Sequence, residues 1–423
     1  MKHLALIASA ILIAPSAMAQ VTDHSAHEGH TPAATQPPPD DHSQHGQPPA
    51  EAKPEDHSGM PGIDHSKMDH SQHGEMDHSQ MGHGAMDHGS MEHGDGHAMS
   101  SALGNYAMTR DGSGTSWIPE ASRHGGVHAQ AGDWMLMGHA SIDAVYTWQD
   151  GPRGDELGYV GGMLMGTAQR KIGEAGTLQL RGMVSPDPLM GDRGYPLLLA
   201  AGETADGIDT LVDRQHPHDL FMELSASYSH QLSDTDSVFI YGGLPGEPAF
   251  GPPAFMHRPA AAANPEAPIT HHWLDSTHIT FGVLTAGWVH ENFKLEASRF
   301  RGREPDQSRY DIETGELDST SVRLSWNPTE NWALQASWAD VASPEQLEPD
   351  VDDTRWSVSA AYTIPLGEGS SWSTTLIYGE KEPSDEESLS GLAIETAYRP
   401  NPDWTFFARA EQIDSHDLAP DVE

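Results

Sequence analysis

The clearest signal along the chain is a period-two alternation of apolar and polar residues between about residues 133 and 412. Small or polar residues separate Trp332, Leu334 and Trp338, which is typical of a β-strand with one apolar face. We predict thirteen strands, at 133–148, 158–170, 176–184, 218–231, 236–242, 278–286, 289–300, 318–327, 331–340, 354–364, 371–380, 389–399 and 403–412. The pattern therefore predicts an all-β, antiparallel protein.

The connections between the predicted strands alternate in length. Short turns, such as 171–175 and one around Gly287, alternate with long links, such as 186–217 and 242–277. Short periplasmic turns and long outer loops are typical of up-and-down outer-membrane β-barrels. A mean hydropathy of −0.54 excludes a helical membrane bundle but is compatible with such a barrel. We predict a transmembrane barrel of about 12–14 strands over residues 131–423, surrounded by outer-membrane lipid.

The number of predicted strands is odd, whereas bacterial single-chain barrels normally have an even number. If the N-terminal region is periplasmic, the thirteenth strand ends outside the membrane and residues 414–423 do not return. The count therefore predicts either a chain truncated at its C-terminus or one miscounted weak strand, at 236–242 or 278–286.

Residues Met1–Ala19 have the pattern of a secretory signal peptide. Lys2 precedes a short apolar stretch, and Ala17-Met18-Ala19 is a small-x-small cleavage pattern. The apolar run is too short for a transmembrane anchor, which needs about 20 residues. We predict export to a bacterial envelope, with the tail in the periplasm.

Residues 20–100 differ from the rest of the chain in composition. Fourteen of the 27 His and seven of the 18 Met lie between residues 21 and 100, among Pro, Gly, Ser and Gln. Such a segment buries too little apolar surface to offset its ordering entropy. We predict a disordered tail, joined to the barrel by a connector at 101–130.

The tail contains four consecutive Met-x-His-x-x pentads, which begin at Met76, Met81, Met86 and Met91. A five-residue step turns by about 140° on an α-helix, so a flexible chain rather than one helix face would present the ligands. Thioether sulfur favours Cu(I), and by the same logic Ag(I), whereas imidazole also suits Cu(II), Zn and Ni. Met paired regularly with His therefore predicts copper or silver as the ligand. The alternative is a low-complexity spacer whose His residues merely titrate near pH 6.5.

We predict the following tail ligands: His65, Met68, His70, His73, Met76, His78, Met81, His83, Met86, His88, Met91, His93 and His97.

The repeats resemble those of a known family. The stretches Lys67-Met68-Asp69-His70-Ser71-Gln72 and Glu75-Met76-Asp77-His78-Ser79 are similar to the N-terminal repeats of the outer-membrane copper-resistance protein B family. The resemblance covers about residues 56–99. It implies a Met/His-rich periplasmic extension that precedes an outer-membrane β-barrel and serves copper tolerance.

Charge and cysteine content exclude several other functions. The chain has 63 acidic and 22 basic residues and a net charge of −41, which argues against nucleic acid as a partner. It has no Cys, so disulfides, thiolate metal sites and Cys nucleophiles are excluded. An acidic barrel mouth would concentrate cations.

On the first three predicted strands, the alternation of side chains between the two faces directs Met into the lumen. On these strands Met lies on the phase opposite the apolar residues, and we predict a soft-metal track there. Its residues are Met135, Met137, His139, Met163, Met165 and Met183. Met is also an adaptable gap filler, and Met222 breaks the pattern because it shares the apolar phase of Leu220 and Leu224.

Two long links contain further candidate ligands, His216, His218, Asp219, His271 and His272. His with carboxylate can bind a divalent cation, but such residues also form structural hydrogen-bond networks in barrel loops. A hydrolase would use His216 or His218 as base and Ser276 as nucleophile, yet the chain has no nucleophile elbow and no H-E-x-x-H motif.

The preferred interpretation is a non-enzymatic outer-membrane protein for copper or silver binding and tolerance. Its repeats would capture Cu(I), Cu(II) or Ag(I), the barrel would anchor or pass the ion, and periplasmic copper-handling proteins would be partners. The alternatives are a passive cation-selective porin with a metal-buffering tail and an envelope enzyme.

Overall fold

The computed structural model describes residues 3–5, 99–123, 125–200 and 204–414. The predicted tail ligands from His65 to His97 lie outside the described residues, as does most of the predicted leader. Within the described ranges, no helix is both long and apolar enough to span a bilayer.

The described chain is nearly all β-structure. Its strands are β1 (His3–Ala5), β2 (Val127–Ala131), β3 (Trp134–Trp148), β4 (Glu156–Ile172), β5 (Gly176–Val184), β6 (Tyr195–Pro196), β7 (Arg214–Gln215), β8 (Phe221–Gln231), β9 (Asp236–Gly243), β10 (Val283–His290), β11 (Phe293–Phe300), β12 (Ser319–Trp326), β13 (Trp332–Val341), β14 (Asp353–Gly367), β15 (Ser370–Pro383), β16 (Leu389–Asn401) and β17 (Trp404–Ile413). One short α-helix, α1 (His271–Leu274), and 3-10 turns at Met108–Arg110, Asp187–Met190, Phe255–His257 and Ser276–His278 complete the elements.

The strands form one antiparallel up-and-down sheet. Sequence neighbours pair from β2 to β5 and from β8 to β17, β5 pairs directly with β8, and β6 and β7 form a separate hairpin in the link between them. Residues His3–Ala5 pair with the end of β17. The thirteen predicted strands are confirmed, as β3–β5 and β8–β17.

The turn predicted around Gly287 is wrong. Gly287 lies inside β10, paired with Phe239 of β9 and Glu296 of β11, and the turn falls at Glu291 and Asn292 instead. A Cβ atom at Gly287 would lie 2.2 Å from the Phe239 ring. Glycine is therefore required there by a ring that packs across the strand, not by a turn.

The two faces of the sheet have opposite chemistry. The apolar residues Ile142, Tyr146 and Trp148 are 49%, 60% and 65% exposed on the outer face of β3. The inner face buries charged side chains such as Lys294 and Arg323. This arrangement reverses the distribution of a water-soluble protein and matches a barrel whose outer surface faces lipid.

The sheet curls around the long link between β9 and β10, residues 244–282, which we call the insert. Thr147 on β3 donates a hydrogen bond to the Glu266 carboxylate (3.0 Å). Arg409 on β17 donates to the backbone carbonyls of Glu266 and Ala267 (2.8 and 2.9 Å). The first and last long strands thus contact the same point of the insert, around which the sheet curls as a barrel with a filled lumen.

Residues 99–123, predicted as the end of the disordered tail and most of the connector, form a second filling element that we call the plug segment. It bonds to the short turns at one end of the barrel: Asn105 donates to the Asp234 carbonyl (3.0 Å), and the Ala121 N–H donates to the Glu330 carbonyl (2.8 Å). From the wall, Lys294 donates to the Thr115 carbonyl. The plug segment therefore covers the short-turn end of the lumen.

Candidate metal centre

The two links that carry the predicted histidine ligands converge inside the barrel. His271 and His278 of the insert have ring centroids 4.7 Å apart, and His218, from the link before β8, lies 5.4 Å from His278. His216 and His272 lie 6.4 Å apart beside them. The predicted residues of the two links thus form one imidazole cluster.

Each of four histidines in this cluster has its Nδ1 held by an oxygen. Asp275 holds two of them: its carboxylate lies 2.7 Å from His271 Nδ1, and its carbonyl lies 2.7 Å from His278 Nδ1. His218 Nδ1 lies 2.7 Å from the Asp187 carboxylate, and His216 Nδ1 lies 3.0 Å from the Pro217 carbonyl. Metal-binding histidines are typically held in this way, with the other ring nitrogen directed at the ion.

The tautomer of His278 follows from its partner. A carbonyl oxygen only accepts hydrogen bonds, so Nδ1 of His278 carries the hydrogen and Nε2 carries a lone pair. His278 is 7% exposed, and its Nε2 has no hydrogen-bond partner among the described residues. A buried acceptor of this kind is suited to a metal ion or a bound water.

The electrostatics favour the neutral, metal-binding form of His271 and His278. Burial lowers the pKa of His271 and of His278. Burial would raise the pKa of Asp275, but Arg258 and His271 outweigh it and lower that pKa, so the carboxylate stays charged. Burial raises the pKa of Asp219 to about 6, although Arg309 lies 3.4 Å away.

Arg258 fixes the insert that carries this cluster. Its guanidinium donates to both carboxylate oxygens of Glu395 on β16 (2.8 Å each), to Asp275 (2.7 Å) and to the Pro253 carbonyl (2.9 Å). Arg258, Glu395 and Asp275 are all buried. The position of the histidines is therefore set by a charge network that links the insert to the barrel wall.

A methionine cluster lies next to the histidines. Met163 on β4, Met183 on β5 and Met222 on β8 are 1%, 4% and 0% exposed, and Met165 and Met256 pack against them. The inward direction that strand parity indicated for Met163 and Met183 agrees with their burial. The inference that Met222 faces outward with Leu224 is wrong.

A β-bulge explains the error at Met222. Met183 pairs with Glu223 and Val184 pairs with Phe221, so Met222 is the extra residue. The bulge changes the parity of β8 on one side of it and turns Met222 inward. A period-two pattern read straight through this point assigns the residue to the wrong face.

The residues of the predicted soft-metal track do not all lie together in the structure. His139, Met165 and Met183 pair in one row across β3, β4 and β5, which places them in register on the lumen side. Met135 and Met137 are half-buried farther along β3 and do not belong to the methionine cluster. His139 Nδ1 lies 2.7 Å from the Gly125 carbonyl.

Two small cavities flank the imidazole cluster. The first, of about 20 Å³, is lined by His216, His218, Asp219, His271 and His278, among others. The second, of about 30 Å³, is lined by His216, His218, Met163, Met256 and Asp187, among others. Each has room for one water molecule or one bare ion, which excludes an organic substrate in this conformation.

The arrangement is not a closed zinc site. Among His, Asp and Glu of the described residues, the one trio with ligand atoms within 4.8 Å of one another is Asp306, Asp311 and Glu313, in the link after β11. The histidines of the lumen therefore do not form a compact three-ligand set of the kind zinc uses. His216 and His218 instead line a cavity that the thioethers of Met163 and Met256 also line.

Some of these residues could not be found from the sequence. Asp187 is not part of any metal motif, and its role appears only where the link between β5 and β8 brings it to His218. Asp275 lies four residues after His271, a spacing that could have indicated the pairing on a helix. Ser276 accepts a hydrogen bond from Arg355 (2.8 Å) rather than lying free beside a base.

Comparisons with known proteins give a fold likeness only. No family model and no curated protein matches the chain. Among solved structures, in-vitro folded OmpT, an outer membrane protein of Vibrio cholerae, is 8% identical, with 68% of this chain and 99% of that chain covered and a TM-score of 0.29. Pseudomonas aeruginosa OpdQ is 10% identical, with 68% and 79% covered and a TM-score of 0.30. Because these scores are low, the architecture rests on this chain's own strand pairing: it is an up-and-down β-barrel with a plugged lumen.

Proposed function

We propose that this chain is an outer-membrane protein that binds copper or silver ions and confers tolerance to them. The observation that carries the proposal is that thioether and imidazole ligands are combined in two separate places. The tail pairs Met with His in the pentads from Met76 to His93, and the lumen packs a methionine cluster beside an imidazole cluster. Soft and borderline ligands together favour copper and silver over zinc or magnesium.

The fold supports a location in the outer membrane with the tail in the periplasm. The outer face of the barrel carries an exposed apolar surface, as a lipid-facing wall requires. The plug segment, which directly follows the tail in sequence, lies at the end that carries the short turns. Short turns are periplasmic in outer-membrane barrels, and we propose that the tail is periplasmic as well.

The filled lumen disfavours a passive porin. The insert buries Phe250, Trp273 and Leu274 inside the barrel, and the plug segment covers one end. The remaining cavities beside the histidines hold about one ion each. We propose that the barrel holds an ion or passes it through a conformational change, while the tail captures ions at interchangeable sites.

The proposed partners follow from the same chemistry. They are copper and silver ions, outer-membrane lipid and periplasmic proteins that exchange copper with the tail. We propose that nucleic acid is not a partner, because the chain has 63 acidic but only 22 basic residues. We propose no catalytic activity, because the chain has no nucleophile elbow and no H-E-x-x-H motif, and the Ser276 hydroxyl accepts a hydrogen bond from Arg355.

Tail replacement tests the tolerance role. One variant carries Leu for every Met and Gln for every His in residues 56–99, which preserves the length of the tail. Cells with this variant should lose survival in copper and silver, while their uptake of a small neutral solute should match that of the parent. Unchanged survival at equal protein levels in the outer membrane would contradict the proposed function.

A further inference from the structure

The larger of the two cavities beside the imidazole cluster combines sulfur and nitrogen ligands. Its lining includes Met163 from β4, Met256 from the insert, and His218 from the link before β8. These residues come from three separate parts of the chain, and the cavity volume of about 30 Å³ corresponds to a single ion.

The imidazole of His218 is oriented for coordination. Its Nδ1 lies 2.7 Å from Asp187, and its backbone N–H also donates to that carboxylate (3.4 Å). Asp187 in turn accepts from the Gly162 N–H (3.1 Å). Nε2 is left as the coordinating atom of His218, in the carboxylate–histidine arrangement common beside protein metals.

The backbone of β4 allows Asp187 to approach and hold His218. Gly162 has φ of +117°, and a Cβ atom there would lie 2.0 Å from the Ser141 carbonyl. Only glycine fits this position, and its N–H donates a hydrogen bond to the Asp187 carboxylate. Met163 follows immediately in sequence, so one local backbone feature sets both the anchor of the histidine and a neighbouring thioether.

We infer that this cavity is a binding site for one soft monovalent cation, Cu(I) or Ag(I), with His218 Nε2 and the thioether sulfurs of Met163 and Met256 as its ligands. Thioethers select soft ions, and the three proposed ligands are all neutral. Two carboxylates also line the cavity: Asp187, which is bonded to His218, and Asp143 on β3. The inference rests on the proposed function for the identity of the metal, and on the cavity for its location.

The smaller cavity, of about 20 Å³, gives the site a neighbour of different chemistry. His216 and His218 line both cavities, and His271, His278 and Asp219 line the smaller one. An ion that leaves the two thioethers along His218 therefore meets imidazole and carboxylate ligands next. These suit copper in either oxidation state, whereas the thioether cavity is specific for the soft ion.

Silver locates the site directly. The full chain is crystallised from detergent with Ag(I), and anomalous scattering gives the positions of the bound ions, which separates this site from the tail. A double variant, Met163→Leu with Met256→Leu, preserves side-chain volume and should preserve the fold. The control is Met135→Leu, which changes a lumen-side Met that does not line the cavity.

The parent and the control should show one silver peak among His218, Met163 and Met256. The double variant should lose that peak and bind one ion fewer per chain, with unchanged barrel mobility on unheated gels. His218→Gln should lose it as well. A peak that persists in the double variant, or no peak in the parent, would overturn the inference.

The outcome separates this inference from the proposed function. If the peak is present in the parent and in the tail-replacement variant, the lumen site stands whatever the survival assay shows. If the peak is absent in the parent while tail replacement still sensitises cells to copper, the lumen site fails and the tolerance role remains.

Discussion

His218 Nδ1 lies 2.7 Å from the Asp187 carboxylate, although 31 residues separate the two. Asp187 begins the link between β5 and β8, and His218 ends it. Their contact closes the link and directs His218 into the lumen. Burial would raise the pKa of Asp187, but its hydrogen bonds, first among them that with His218, outweigh it and lower that pKa.

Removal of the Asp187 charge should weaken ion binding more than it weakens the fold. Asp187→Asn retains the shape of the side chain but loses the charge that orients His218. We expect the affinity for Ag(I) in the lumen to fall by about 10- to 100-fold, the usual effect of changing a residue that supports a ligand. Ag(I) titration of the full chain with the replaced tail measures it, and Asp192→Asn, exposed in the same link, is the control. An affinity equal to that of the control would contradict the role of Asp187.

The buried Arg258 should be one of the most sensitive positions in the chain. Arg258→Met leaves the carboxylates of Glu395 and Asp275 buried without their cation. Loss of one partner of a buried charge network costs about 3–5 kcal/mol of folding free energy. Urea unfolding in detergent, followed by tryptophan fluorescence, should show this loss. Arg299→Met, on an exposed side chain, should change the free energy of unfolding by less than about 1 kcal/mol.

Glu247 in the insert should make stability depend on pH in an unusual direction. Burial raises its pKa to about 8, although Arg323 lies 3.8 Å away and lowers it. Between about pH 4.5 and 8 the folded state therefore keeps a proton that the unfolded state has lost. The contribution of Glu247 to stability is complete below that window and falls by about 1.4 kcal/mol per pH unit within it.

Glu247→Gln should remove this dependence, because an amide does not titrate. The difference in unfolding free energy between variant and parent should then shift in favour of the variant as the pH rises from 5 to 8. Glu387→Gln, on an exposed carboxylate, serves as the control and should show no such shift. A difference that stays constant across this range would show that Glu247 is ionised in the folded protein.

The plug segment should control access to the lumen from the end that carries the short turns. Trp117 is 4% exposed, and its ring packs against Tyr106 (5.1 Å) and beneath the Lys294 ammonium (4.7 Å). Trp117→Ala removes contacts worth about 3–5 kcal/mol, so the segment should detach more often. Ion conductance through planar bilayers should rise, whereas Trp372→Ala, 51% exposed on the outer wall, should leave it unchanged. Equal conductance for both variants would exclude a gating role.

Much of the fold could be predicted from local patterns, because an alternating strand records its two faces in its own sequence. All thirteen long strands and the inward direction of Met163 and Met183 follow from this rule. The rule fails at the Met222 bulge and at Gly287, where a neighbouring strand decides the geometry. The plug segment has no periodic pattern and is fixed by contacts to distant turns.

The candidate site could likewise be predicted from the sequence only in part. His216, His218, His271 and His272 are recognisable as candidate ligands by residue type alone. Their convergence depends on two long links that fold into the lumen, and Asp187 and Arg258 reach them only in the folded chain. The sequence therefore indicates the types of candidate ligand, and the fold determines which of these residues lie close together.

The proposed function requires that this protein bind soft ions selectively. The most direct measurement is equilibrium dialysis of the purified full chain against Ag(I), Cu(I), Cu(II) and Zn(II), with bound metal counted by mass spectrometry. We predict that Ag(I) and Cu(I) bind in the largest number per chain and displace Zn(II) in competition. Preferential retention of Zn(II) over both soft ions would contradict the account.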